Sequence, residues 1–181
     1  MHPSASPRAR ARPVAGPSGE GSATGSFEAF FVAERIRLHR ALILLMGDRA
    51  EAEDLMQEAF VRVWERWDRV GSMDDPVGYL YRTALNGFRA RLRRVAAAAR
   101  RRLRPTVAMD PFEGVEDRDA LARVLKAATA RQRTAVVLTE VLSFTSEEAS
   151  HLMGVSPITV RRLAGKGREA MRRALEVRHE R

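Results

Sequence analysis

Apolar residues recur at three- and four-residue steps along most of the chain, and no segment alternates as a half-buried strand would. Phe27, Phe30, Phe31, Leu38, Leu42, Leu45 and Met46 predict a first helix that stops at Gly47. After the Gly47-Asp48 turn, Ala52, Leu55, Met56, Ala59, Phe60, Val63, Trp64 and Trp67 form a broad stripe. Glu51, Asp54, Glu58, Arg62 and Glu65 lie off it, so a second amphipathic helix is expected. Residues 68–74 read as a short polar loop. Asp75-Pro76, an N-cap followed by proline at the first helical position, then opens a third helix. Its stripe is Val77, Leu80, Tyr81, Ala84, Leu85, Phe88, Leu92 and Val95.

Beyond residue 118 the pattern resumes. Residues 119–130 and 131–142 predict two amphipathic segments with Leu121, Val124, Leu125, Val136, Val137, Leu138 and Val141 as core. Thr145-Ser146-Glu147-Glu148 is a capping box, because the hydroxyl serves the backbone N–H three residues on while the carboxylate reaches back. The helix it opens should stop at Gly154. Ser156-Pro157 opens another, with Val160, Leu163, Ala164, Gly167, Met171 and Leu175 as its buried side. Two short-linked helices with a glycine turn between them constitute a helix-turn-helix. The fold class expected is all-α.

Composition divides this helical chain. Residues 1–26 are mostly Pro, Ala, Gly, Ser and Arg without periodicity, a composition that cannot offset the entropy of ordering, and read as a disordered tail. Residues 105–117 hold two prolines, a glycine and four acids, and read as a flexible linker. The expectation is therefore two small helical domains, 27–104 and 118–181. Apolar runs such as 41–46 are far shorter than the ~20 residues of a membrane span, and nothing behind Arg8, Arg10 and Arg12 resembles a secretory signal, so a cytoplasmic location is expected.

Charge adds a function class. The 181 residues carry 32 Lys and Arg against 23 Asp and Glu, a net +9, and only Lys126 and Lys166 are lysines. Guanidinium forks suit phosphates and guanine edges, although a GC-rich genome would also favour arginine. The distribution is not explained that way. Residues 76–104 carry nine arginines and no acid, and residues 156–181 carry +5, whereas residues 27–68 carry −3. The second helix of a helix-turn-helix enters the DNA major groove with its first turns. Its Arg161 and Arg162 are placed to read guanines, while Ser156, Thr159, Lys166 and Arg168 suit phosphates. A plain helical hairpin with a solvated basic face is the bland alternative. The arginine run after Arg82 lies near Trp64, Trp67, Tyr79, Tyr81 and Phe88, and single strands are held by cationic grooves with stacking rings. Most of these rings should be core, with Tyr79 the one expected at the surface.

Nothing supports an enzyme. With no cysteine there is no disulfide, thiolate metal site or Cys nucleophile, and His2, His39, His151 and His179 lack metal-ligand spacing. Gly165-Lys166-Gly167 lacks the rest of a phosphate loop. No cofactor and no metal are expected.

With these residues in place, the chain resembles a bacterial RNA polymerase sigma factor of the two-domain extracytoplasmic-function type, in particular its actinobacterial members. The resemblance spans residues 27–175. It rests on the run from Gly47 to Phe60 with Trp64, on Asp75 to Arg82 with Asn86 and Arg91 to Arg94, on Arg131-Gln132-Arg133, on Glu147-Glu148-Ala149, and on Gly154-Val155-Ser156 with Thr159-Val160-Arg161. It implies that Asp54, Gln57 and Glu58 dock on the clamp helices of the polymerase largest subunit. It also implies that residues 68–74 with Asn86, Arg89 and Arg93 capture unpaired minus-ten bases. Ser156, Pro157, Thr159, Arg161, Arg162, Lys166 and Arg168 would engage the minus-thirty-five element. The implied partners are core RNA polymerase and promoter DNA, with an anti-sigma factor as a candidate third. Ser146 stands where relatives usually have an aromatic, and Ala149 where they have a large aliphatic, which should thin that helix's core. Gly165 and Gly167 should weaken the recognition helix by about 1 kcal/mol each. The competing readings are a stand-alone helix-turn-helix regulator and a basic RNA-binding protein; the latter leaves the helix-turn-helix unexplained.

Overall fold

The computed structural model describes residues 26–101 and 124–179, and these are helical without a strand among them. The tail and linker expected at 1–26 and 105–117 lie outside the described residues, apart from Ser26. Ser26 caps α1 (Phe27–Met46), its hydroxyl accepting from the Ala29 N–H. Asp48 caps α2 (Arg49–Trp64) by accepting from Glu51 N–H at 3.0 Å. A single turn, α3 (Trp67–Val70), precedes the long basic α4 (Pro76–Arg101), whose start is held by Asp75 accepting from Gly78 N–H at 2.7 Å. Leu38, Leu42 and Leu45 of α1, Leu55 and Val63 of α2, and Leu80, Tyr81 and Leu85 of α4 are buried in one core. Burial of each such side chain contributes about 1.5–3 kcal/mol, more than the propensity differences along these helices.

Three expectations change in this half. Trp64 is 62% exposed and not part of the stripe, because α2 ends there and the core closes over Val63 instead. The aromatic core contact is made by Trp67, 5.0 Å from Phe30 and 5.4 Å from Phe27 by ring centroids. Residues 68–74 are not a free polar loop: α3 occupies their start, Val70 is fully buried and Met73 packs on the core. The stripe of α4 ends at Phe88, since Leu92 and Val95 are exposed.

In the C-terminal half, residues 124–127 are helical, and Thr129 then caps α5 (Ala130–Val136) in a capping box with Gln132. The break at 128–129, not between 130 and 131, divides the two segments. α5 runs into a π-helical turn, Val137–Val141, in which Val141 is exposed rather than core. The Thr145 capping box opens α6 (Ser146–Met153) as the sequence indicates. Gly154, at φ 65°, makes the left-handed turn that leads into α7 (Pro157–His179). Ala149 and Val160 are fully buried, and Leu175 is exposed. α7 is continuous through both glycines. A Cβ on Gly167 would lie 2.8 Å from Val136 Cγ2 and 3.1 Å from the Gln132 carbonyl oxygen, so this glycine lets α7 close onto α5.

The halves pack together, α4 against α6 and α1 against the π-helical turn. Three arginines link them, each donating to a carbonyl at the C-terminal end of a helix in the other half. Arg133 reaches Leu45 O at 2.8 Å, Arg89 reaches Leu152 O at 3.1 Å, and Arg37 reaches Leu142 O. Helix C-termini carry unsatisfied carbonyls and partial negative charge, which suits guanidinium donors. Between them Phe144 meets the Tyr81 ring edge-on at 5.2 Å, under the Arg37 guanidinium.

Candidate functional site

Three surfaces carry the residues singled out by sequence. On the outer side of α2, the one-turn spacing of Asp54, Gln57 and Glu58 brings all three together, exposed, along a groove of about 510 Å³ completed by Val61, Arg62 and Glu65. The groove is continuous through Gln57 and Val61 with an apolar hollow of about 710 Å³, lined by Phe27, Phe31, Val32, Phe60 and Trp64. Glu58 is tied to Arg91 of α4 at 2.8 Å. Sequence reasoning missed the apolar half of this surface. Its signal was Trp64, which follows the buried Val63 directly and so sits at the edge of the stripe. An acidic groove beside an exposed indole suits a partner helix that offers both basic and apolar side chains.

The second surface is the basic face of α4. Asn86, Arg89 and Arg93 are brought together, with Asn86 Oδ1 accepting from Arg89 Nη1 at 3.1 Å. Asn86 and Arg93 are exposed, whereas Arg89 is half-buried because its other nitrogen serves Leu152 O in the opposing half. Arg89, Arg93 and Arg131 line a cleft of about 580 Å³ floored by Phe88, Leu92, Ala130 and Met153. Desolvation, reinforced by the like charges of Arg131 and Arg93, holds the Arg89 guanidinium below its ordinary value. A site with that electrostatic frustration favours an anionic ligand such as a phosphodiester. Sequence reasoning did not place Arg131 there, as its position depends on how the halves pack. Within 68–74, Asp68, Arg69, Ser72 and Asp74 remain exposed, with Ser72 donating to Asp68 O at 3.1 Å.

The third surface is the first half of α7. Ser156 caps the helix, accepting from Thr159 N–H at 3.3 Å and pairing with the Thr159 hydroxyl at 2.9 Å. Arg161, Arg162, Lys166 and Arg168 are exposed and Pro157 is half-buried. Arg161 is paired with Glu147 of α6 at 3.2 Å, and Arg168 with Glu140 at 2.7 Å. Both pairs are solvent-exposed, so each is worth at most about 1 kcal/mol, and phosphates or base edges can displace the acid. Ile158, one of the side chains that the sequence places on the first turn of this helix, is 72% exposed.

Among the described residues, no group of three or more His, Cys, Asp or Glu is placed to hold a metal ion, and no helix is long and apolar enough to cross a membrane.

Known proteins match both halves of the chain. The family model of Sigma-70 region 2 matches residues 30–101, and that of Sigma-70 region 4 matches residues 118–171. The RNA polymerase sigma-E factor of Streptomyces avermitilis is 29% identical over 84% of this chain and 86% of its own length. The sigma-E factor of Streptomyces coelicolor is 29% identical over 75% of this chain and 77% of its own. The extracytoplasmic-function (ECF) sigma factor SigJ of Mycobacterium tuberculosis is 32% identical over 78% of this chain but only 48% of its own length. Among solved structures, the sigma factor RpoE in complex with the anti-sigma factor NepR from Bartonella quintana superposes with a TM-score of 0.65 at 22% identity, covering 83% of this chain and 97% of that one. CnrH in complex with the cytosolic domain of CnrY gives 0.61, also at 22%, covering 83% and 88%. At that identity the two structures establish a shared fold.

Proposed function

The chain belongs to the sigma-70 family of RNA polymerase sigma factors, in its extracytoplasmic-function group, and from this premise we propose how its three surfaces divide the work. A sigma factor binds core RNA polymerase, directs it to promoters and helps to open them; it is not an enzyme itself.

In this reading, residues 27–104 bind the polymerase and the minus-ten element, and residues 118–181 bind the minus-thirty-five element. Asp54, Gln57 and Glu58 form the charged half of the polymerase dock, with Val61 and Trp64 as its apolar half. Interfaces gain most from a buried aromatic with a polar rim around it, and Trp64 beside three polar side chains has that composition. Asn86, Arg89 and Arg93 hold unpaired minus-ten bases and their backbone, with the exposed positions of 68–74 beside them. Ser156, Pro157, Thr159, Arg161, Arg162, Lys166 and Arg168 engage the upstream duplex. An anti-sigma factor is the third partner, and the work is cytoplasmic.

The observation that carries the assignment is the separation of one acidic, partly apolar surface from two basic ones. A stand-alone regulator needs a single basic surface. The reading is tested by transcription from a library of randomised promoters with core polymerase and the full chain. Chain-dependent transcripts with a common upstream and minus-ten pattern support it, and sequence-specific DNA binding without any association with core would transfer the chain to the regulator class.

A further inference from the structure

Ile158 lies on the first turn of α7 with 72% of its surface exposed, more than Val95 at 68% or Val32 at 64%. It does not serve the start of the helix. With Ser156 as the cap, the apolar clamp across a helix N-terminus uses the residues before the cap and four after it. Those are Val155, which packs on the core, and Val160, which is fully buried. The companions of Ile158 are three and four residues on: Arg161 and Arg162 share its face of the helix. That face therefore presents one rigid, β-branched apolar group and two guanidiniums from the turns that enter a major groove.

The one alkyl group that bases expose in the major groove is the C5 methyl of thymine. Phosphates and sugars offer nothing to an isoleucine that its loss would reveal as sequence preference. Resting on the reading of α7 as the upstream-DNA helix, we propose that Ile158 is a specificity-determining residue that packs on the methyl group of a thymine, adjacent to the bases met by Arg161 and Arg162. The site thus reads one base by shape and apolar contact and its neighbours by hydrogen bonds. Because Ile158 is exposed in the free protein, burying it against DNA also removes its own apolar surface from water.

The test uses polymerase holoenzyme reconstituted with the full chain. A duplex with a randomised upstream element is selected by binding, and each thymine of the selected sequence is replaced in turn by deoxyuridine, which lacks only the methyl group. At one position deoxyuridine should weaken wild-type binding by about fourfold, the factor that corresponds to ~0.8 kcal/mol for one buried methyl-sized group. Ile158→Ala should bind the thymine and deoxyuridine duplexes equally, because the partner of the methyl is gone. Alanine is a good helix former and the position is exposed, so the variant retains its fold; circular dichroism confirms that. A selected element without a thymine, insensitivity to deoxyuridine throughout, or the same deoxyuridine effect in Ile158→Ala would each overturn the proposal while leaving the helix-turn-helix reading intact. A wild-type holoenzyme that enriches no upstream sequence would remove that reading itself, and the proposal with it.

Discussion

The Arg133 guanidinium donates to the Leu45 carbonyl oxygen at 2.8 Å, so a side chain of the C-terminal half closes the last turn of the first helix of the N-terminal half. A second nitrogen serves Ala128 O at 3.3 Å, and burial holds the guanidinium below its ordinary value. Arg133→Met keeps most of the apolar stem but loses both bonds. Charge-assisted bonds are worth about 1.5–3 kcal/mol each before the desolvation of the arginine is returned, so a net loss of about 2 kcal/mol is expected. The urea midpoint should fall accordingly, and an unchanged midpoint would mean that the Arg133 bonds add nothing to what the Arg37 and Arg89 links and the apolar contacts already supply.

The polymerase dock is tested by Asp54→Arg with Glu58→Arg. Neither side chain is buried, but Glu58→Arg replaces the ion pair with Arg91, whose side chain is only 18% exposed, by a like-charge contact that costs about 1–2 kcal/mol. The melting temperature should therefore fall by a few degrees with the fold retained, while co-purification with core polymerase is lost. Trp64→Ala should also weaken it, and wild-type retention of polymerase by all three substitutions would move the dock elsewhere.

What the sequence made legible and what it did not follow from range. The caps at Asp48, Asp75, Thr145 and Ser156 lie within three residues of the groups they satisfy, and the helices they open stand where expected. The exposed polar residues of the three surfaces were legible for the same reason, as departures from a local stripe. Trp64 was misread because its exposure depends on where α2 ends and on Trp67 taking the aromatic site beside Phe30. Residues 68–74 looked like a polar loop because the two residues that anchor them, Val70 and Met73, stand among polar neighbours. The arginine links between halves span 105, 63 and 88 residues, and no local pattern announces them.

The two glycines of α7 should respond oppositely to alanine. Gly165 has open space around it, so Gly165→Ala should stabilise the protein by about 0.5–1 kcal/mol through helix propensity. At Gly167 the new methyl would press on Val136 and on backbone at Gln132, neither of which gives way easily, and a loss of about 1–3 kcal/mol is expected. Thermal unfolding of the pair decides, and equal stabilisation by both would show that α7 does not lie against α5 as described.

The basic residues of α7 should separate by salt dependence. Lys166→Ala and Arg168→Ala should weaken binding to every duplex alike and reduce the slope of log affinity against log salt by about one. Arg161→Ala and Arg162→Ala should each relax preference at a position by about 1–3 kcal/mol if they meet base edges. Binding at several salt concentrations to matched and mismatched duplexes distinguishes the two patterns. An unaltered slope in Lys166→Ala would remove it from the phosphate contacts.

As a sigma factor, this chain converts core polymerase into an enzyme that opens promoters. Opening a duplex is offset only if the unpaired strand is held better than the paired one, which is the role given to α4 and the segment before it. Permanganate reactivity of thymines on an intact duplex promoter reports unpaired bases directly. Reactive thymines are expected around the minus-ten element when core polymerase and the chain are both present, and none with either alone. Protection of an upstream duplex by the chain alone, with no thymine made reactive on adding core polymerase, would contradict it.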